Sequence, residues 1–203
     1  MYAGHAAIAL VLKVRRPEVP MLPLVAACYG PDWVDVALMI PHPREGMAPW
    51  SHSIPAVLIG AAVASALYGM LAHRPGAGWI FLAWTLHWPA DLFTGLKPVL
   101  GLDTLVGLDL YHLPYADFAL ELIAIVVCGA IYARAFAPAL RQRWVVAAMC
   151  LSLIAAQAVV DAGMAALDPR TWAPSLAVRE WRAHVIPEGA DTSLRRSAWL
   201  LHS

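Results

Sequence analysis

The chain has 203 residues, of which 61% are hydrophobic and only 14% are charged. An ordinary soluble domain is about 45–50% apolar and about 25% charged, so the composition argues against that class and indicates a membrane protein. The formal net charge is +0. Because nucleic-acid binding requires a basic surface, we expect no nucleic-acid partner.

Four apolar segments occupy the first half of the chain. They comprise residues 3–12, 21–30, 54–72 and 77–93. The first is short for a membrane span, which needs about 20 residues, and is expected to be short or re-entrant. Between the second and third segments, Pro31 predicts the start of a short helix that carries Asp32 and Asp35 on one side. Proline and glycine predict a loop over 41–51.

Two further apolar segments, 118–137 and 144–167, follow a mixed polar loop over 94–116. The last segment holds Gln157 and Asp161 one helical turn apart, a spacing that allows buried polar groups to pair between helices.

The sequence therefore predicts an all-α, multi-pass transmembrane helical bundle with about six membrane segments. Residues 1–167 form the transmembrane domain. Residues 168–203 form a polar tail with tryptophan and arginine residues, which is typical of a segment lying at the membrane surface.

An imidazole and a carboxylate end the fourth apolar segment. His87 and Asp91 are four residues apart, so a helix presents them on one face. Pro89 lies between them and predicts a kink or a helix end. Ionisable side chains at membrane depth are costly, and we interpret the pair as part of a functional site.

The alternation of segments across the bilayer predicts which other polar residues join this pair. If His5 begins on one face, successive crossings return the short acidic helix, His52 and the end of the fourth segment to the same face. The candidate site residues are His5, Asp32, Asp35, His52, His87 and Asp91.

Imidazole and carboxylate groups together suit a divalent metal, with Zn²⁺ the first choice and Mn²⁺ or Fe²⁺ as alternatives. Six candidates exceed the needs of one tetrahedral ion. They predict either two ions that share a carboxylate, or one ion with a general base. Alternatively, Asp32 and Asp35 cap a helix, and the histidines only lock helices together.

These residues resemble a family of inner-membrane proteins, the membrane-bound, metal-dependent hydrolases. That family is similar in its helical multi-pass layout and has the recurring pattern His, Pro-Asp-x-Asp, His-Ser and His-x-x-x-Asp. The resembling motifs are Gly4-His5, Pro31-Asp32 with Asp35, Trp50-Ser-His-Ser53 and His87-Trp-Pro-Ala-Asp91. In this chain the second aspartate falls one position later, at Asp35. The resemblance implies His5, Asp32, His52, His87 and Asp91 as metal ligands.

The leading functional hypothesis is a metal-dependent hydrolase of an ester or phosphoester. Membrane lipids are the expected partners, and the substrate is a small molecule or a lipid. Asp32 is both a ligand and a catalytic residue in this hypothesis, and Asp35 is a bridging ligand or the base. The alternatives are a transporter that binds an ion or relays protons through the same residues, and a membrane protein with a purely structural role.

Overall fold

The computed structural model of the chain describes residues 3–39, 50–72, 75–100, 104–110 and 113–167. Within these ranges the chain forms seven α-helices, one short 3₁₀ helix and one β-hairpin. The helices are α1 (Gly4–Arg15), α2 (Met21–Cys28), α3 (Gly30–Met39), the 3₁₀ helix (Trp50–His52), α4 (Ile54–Ala72), α5 (Ala77–Asp91), α6 (Pro114–Phe136) and α7 (Leu140–Leu167). The strands are β1 (Lys97–Pro98) and β2 (Leu105–Val106).

Helix α1 is the central element of the bundle. It packs against α2 and α5 on one side and against α6 on the other, while α4 packs on α5 and α7 packs on α6. Small side chains let these backbones approach closely. Ala9 of α1 belongs to a buried cluster with Leu24 and Ile80, and Ala7 packs in a second cluster with Ile125.

Trp84 fixes α3 and α4 against α5. A Cβ added at Gly30 of α3 would lie 2.2 Å from the Trp84 ring, and one added at Gly60 of α4 would lie 2.6 Å from it. The indole ring of Trp84 therefore occupies space that is open only because Gly30 and Gly60 have no side chain. Trp84 is three residues before His87, so this contact holds α3 and α4 close to the predicted site.

The β-hairpin corrects the prediction that residues 94–116 are an irregular loop. Lys97 pairs with Val106 and Pro98 with Leu105 in antiparallel register. Gly107 has φ of +145°, and a Cβ there would lie 1.9 Å from the Gly95 carbonyl oxygen. Only glycine fits this position, which brings the second strand back against the chain that leaves α5.

In the part of the chain that the structure describes, three helices are long and apolar enough to cross a membrane. The stretches are Ile54–Leu71, Pro114–Phe136 and Leu140–Gly163, each with a mean hydropathy of 2.0. Large apolar side chains on them face outward, such as Ile59, which is 65% exposed, and Val159, which is 72% exposed. The described part of the chain is thus mostly helical and contains three candidate spans.

The finer prediction of six spans is not confirmed, because three helices qualify as candidate spans within the described residues. The other predicted segments form α1, α2 and α5, which have 12, 8 and 15 residues and are shorter than the bilayer core requires. The predicted tail, 168–203, lies outside the described residues.

Candidate metal centre

The six side chains that were predicted to meet lie together in the structure. They come from four elements: His5 is in the first turn of α1, Asp32 and Asp35 are on α3, His52 ends the 3₁₀ helix, and His87 and Asp91 are at the end of α5. Pro31 allows α3 to begin at this point, and Asp32 lies in its first turn, where the helix dipole favours a carboxylate. Helix α5 ends two residues after Pro89.

The ligand atoms form two overlapping groups, each with all its atoms within 4.8 Å of one another: Asp32, His52 and His87 form one, and His5, His87 and Asp91 form the other. The Nε2 atoms of His52 and His87 are 3.0 Å apart. Asp32 Oδ1 is 3.3 Å from the Nε2 of His52 and 3.6 Å from that of His87. Asp91 Oδ2 is 3.5 Å and 3.1 Å from the same two atoms. In a tetrahedral zinc site, ligands at about 2.0–2.2 Å from the ion are about 3.3–3.6 Å from one another.

A backbone contact sets the orientation of His87. Its Nδ1 lies 2.8 Å from the Cys28 carbonyl oxygen at the end of α2. A carbonyl accepts only, so Nδ1 carries the hydrogen and donates it. In the neutral ring the lone pair is then on Nε2, which faces Asp32 and Asp91. Metal-binding histidines are commonly held in this way.

Asp35 lies on the other side of His52 from the four ligand atoms. Its Oδ2 is 3.1 Å from His52 Nδ1, and its Oδ1 accepts a hydrogen bond from Ser51 Oγ. An imidazole whose Nδ1–H points at a carboxylate presents Nε2 as a ligand. The expectation that Asp35 bridges two ions, or acts as the base, is not what this geometry favours. Asp35 instead orients His52.

His5 is completely buried and stacks on His87, with ring centroids 4.0 Å apart. Its Nε2 is 3.4 Å from Asp91 Oδ1, the carboxylate oxygen that does not face His52. Neither ring nitrogen of His5 makes a hydrogen bond to another described residue. The structure therefore places His5 beside the four ligand atoms, against the second oxygen of Asp91.

Sequence reasoning missed Lys97. Its ammonium group is buried and lies 2.9 Å from Asp91 Oδ2. Lys97 is six residues after Asp91, in a stretch that was interpreted as a loop, and only the β-hairpin turns it back toward the site. The sequence contains no local signal of this contact, apart from the isolated lysine in an otherwise apolar region.

The site carries an excess of negative charge. Among the described side chains, the three carboxylates of Asp32, Asp35 and Asp91 are in contact with one ammonium group, that of Lys97, so carboxylates are in excess when the imidazoles are neutral. A cation suits this excess. The donor set of two imidazoles and two carboxylates also suits Zn²⁺, or Mn²⁺ or Fe²⁺ with additional oxygen ligands.

The local charges shift two pKa values. Burial disfavours the carboxylate of Asp32, but its hydrogen bond with His52 and the charge of His87 outweigh burial and lower the pKa of Asp32. Burial and Lys97 favour the neutral form of His52. Hydrogen bonds to Asp32 and Asp35 outweigh them and raise the pKa of His52.

A second buried polar cluster lies between α1, α6 and α7. Gln157 Nε2 donates to Asp161 Oδ1 at 2.8 Å within α7 and lies 3.5 Å from Asp117 Oδ2 on α6. The predicted pairing between helices is therefore observed. Glu121 accepts a hydrogen bond from the Gly4 backbone nitrogen at 2.5 Å, which connects this cluster to the turn that carries His5.

No protein-family model, curated protein or solved structure matches the chain. The resemblance to the membrane-bound hydrolases accordingly rests on the motif residues, and what it implies for this chain is a proposal.

Proposed function

We propose that the chain is a multi-pass protein of the cell's inner membrane that hydrolyses an ester or phosphoester with the help of a divalent metal ion, most simply Zn²⁺. The observation that carries the proposal is the set of five distances of 3.0–3.6 Å among the Nε2 atoms of His52 and His87 and the carboxylate oxygens of Asp32 and Asp91. Three of these atoms, from Asp32, His52 and His87, all lie within 4.8 Å of one another, as the ligands of one ion do, and Asp91 Oδ2 is close to both Nε2 atoms.

Exposure distinguishes the roles of the four residues. His52, His87 and Asp91 are almost fully buried, which suits permanent ligands. The side chain of Asp32 is 42% exposed and lies on the open side of the site. We assign to Asp32 the position of a fourth ligand that can also accept a proton from water, as a general base does.

A divalent cation held there supplies Lewis acidity and makes hydroxide available at neutral pH. The overall reaction adds one water molecule across the ester bond. The water oxygen forms a bond to phosphorus or to the acyl carbon, and the bond to the leaving oxygen breaks. One proton passes to Asp32 and the leaving oxygen takes up the other, so atoms and charge balance.

One ion fits the site better than two. His87 Nδ1 is occupied by the Cys28 carbonyl, so the ring has a single lone pair and can bind only one ion. His5 forms a second possible position with His87 and Asp91, and this position shares His87 with the first. We expect one equivalent of metal per chain, whereas two equivalents would assign a second ion to His5 and Asp91.

The surroundings of the site favour a lipid partner. His52 is two residues before α4, whose apolar window begins at Ile54, so the site lies at one end of a candidate span. Trp33, which follows Asp32, and Phe93, which lies two residues after Asp91, are 59% and 51% exposed. Exposed aromatic side chains are typical of the membrane–water boundary, where a lipid head group would meet the site.

The test is the metal content of the detergent-purified full-length protein, measured by elemental analysis. Wild type is expected to hold about one equivalent of a divalent metal, because the ligand atoms of Asp32, His52 and His87 already lie close enough together to share one ion. The double variant His87→Ala, Asp91→Ala is expected to hold none. Glu18→Gln is the control, because Glu18 makes only an exposed ion pair with Arg16.

Equal metal content in wild type and the double variant would refute the assignment of the site. If the metal content behaves as expected, hydrolysis of a membrane lipid extract by the loaded protein tests the activity itself. Loss of hydrolysis in the double variant, with hydrolysis retained in Glu18→Gln, supports the function.

Transport of a cation or of protons is the second candidate function, and the cluster between α6 and α7 favours it. Asp117, Glu121, Gln157 and Asp161 are buried within helices that could cross a membrane, and such residues commonly mark ion pathways. Cation flux in proteoliposomes that is lost in Glu121→Gln, with the metal content unchanged, would favour transport over hydrolysis.

A further inference from the structure

The ammonium group of Lys97 is buried beside the proposed ligands. Lys97 is 5% exposed, and its Nζ lies 2.9 Å from Asp91 Oδ2. The same oxygen is 3.1 Å from His87 Nε2. A carboxylate oxygen has two lone pairs, so Asp91 can contact Lys97 and a metal ion at the same time.

Two hydrogen bonds to the residues just after Lys97 attach this part of the chain to the neighbouring helices. Trp88 Nε1 of α5 donates a hydrogen bond to the Pro98 carbonyl at 3.3 Å. The backbone nitrogen of Ile54, at the start of α4, donates to the Val99 carbonyl at 3.0 Å. The β-hairpin that carries Lys97 is thus attached to the two helices that flank the site.

The ammonium group has more N–H donors than its contact with Asp91 uses. Lysine has three N–H groups, and among the described residues Lys97 contacts Asp91 as an acceptor. Buried donors without acceptors are costly. Two N–H groups remain to contact a bound anion next to the cation position.

We infer that Lys97 binds an oxygen of a phosphoryl group, so that the substrate is a phosphoester and not a carboxylic ester. This inference rests on the proposed function. A phosphoryl group carries anionic oxygens in its ground state, and an ammonium group binds these by charge-assisted hydrogen bonds. The carbonyl oxygen of a carboxylic ester is neutral, so its hydrogen bond with the ammonium group is much weaker. The inferred step is binding, in which no bond forms or breaks.

The experiment titrates inorganic phosphate into the zinc-loaded, detergent-purified full-length protein by calorimetry, with the zinc content measured for every sample. Wild type is expected to bind phosphate. Lys97→Met is expected to retain zinc and to bind phosphate at least tenfold more weakly, since a charge-assisted hydrogen bond corresponds to roughly tenfold or more in affinity. Lys97→Arg keeps the charge and is expected to bind more tightly than Lys97→Met.

The control is Lys13→Met, which removes the other lysine of the chain. Lys13 donates to the Val19 carbonyl at 2.9 Å and lies eight residues along α1 from His5, which is about 12 Å. This variant is expected to bind phosphate as wild type does.

The outcomes distinguish the two proposals. Wild type that binds zinc but no phosphate overturns the role of Lys97 and leaves the metal site intact. Unchanged phosphate binding in Lys97→Met also overturns it, and loss of zinc in that variant shows that Lys97 is only the counterion of Asp91. Wild type without zinc refutes the proposed function, and the inference about Lys97 fails with it.

A competition experiment identifies the source of the phosphate. Displacement of phosphate by dihexanoyl phosphatidic acid at lower concentration than by glycerol 3-phosphate indicates a lipid head group, and the reverse order indicates a soluble phosphoester. Either order supports the role of Lys97, whereas displacement by neither compound overturns it.

Discussion

Replacing Asp35 by alanine tests whether this carboxylate orients a ligand or is one. Asp35 Oδ2 lies 3.1 Å from His52 Nδ1, on the side of the ring opposite the converging ligand atoms. Removal of a carboxylate in this position usually weakens metal binding by about 10–100-fold, or about 1.4–2.7 kcal/mol. Asp35→Ala is therefore expected to bind zinc with an affinity reduced by this factor. Asp35→Asn retains an acceptor for the Nδ1–H group of His52. Its zinc affinity is expected to lie between those of Asp35→Ala and wild type.

The assay is a zinc titration of the purified, metal-stripped protein against a competing chelator, which measures the affinity directly. Glu18→Ala is the control and is expected to bind as wild type does, because an exposed ion pair has little effect on stability and lies away from the site. Wild-type affinity in Asp35→Ala would refute the orienting role. Complete loss of zinc would show that Asp35 is a ligand after all.

Three further predictions follow from the geometry of the site. His87→Ala is expected to reduce the zinc content to background, because two converging contacts depend on its Nε2; elemental analysis checks this. Zinc affinity is expected to rise as the pH rises through the pKa of His52, which is raised above 6.5, because the ion must displace that proton; chelator competition at several pH values measures it. In the metal-free protein, the contacts of protonated His52 with Asp32 and Asp35 stabilise the fold below about pH 6.5. This contribution is lost as the pH rises through the pKa of His52 in the folded state. Gly30→Ala is expected to destabilise the fold by about 1–3 kcal/mol, because its Cβ would collide with Trp84. Thermal unfolding in detergent tests this, with Gly78→Ala as the control because a Cβ there meets nothing within 4 Å; equal stability of the two variants would contradict the close packing of Trp84.

Much of the candidate site could be predicted because its residues occupy the ends of apolar segments. The i,i+4 spacing of His87 and Asp91 depends only on helix geometry, and their Nε2–Oδ2 distance of 3.1 Å agrees with it. The prediction that His5 and His52 lie near this pair came from counting how often the apolar segments cross the bilayer. That prediction needed the order of the segments and no detailed packing, although among the described helices three reach the length of a span.

Other features depend on contacts between residues distant in sequence. Residues 94–116 appeared to be a loop, because two-residue strands carry no periodic signal. The tight turn at Gly107 forms only against Gly95. The position of Lys97 depends on this hairpin, and thus on the way it attaches to α4 and α5.

The sequence by itself determined the class of protein and the set of acidic and imidazole groups available to a cation, because composition and helical spacing are properties of the local chain. Only the tertiary structure decided what each group does: it set Asp35 on the far nitrogen of His52, Lys97 on Asp91, and His5 against the second oxygen of that carboxylate. The physical reason is that a side chain's partner is chosen by the packing of elements from all parts of the chain. A difference of a few ångströms in that packing separates a ligand from a residue that orients one.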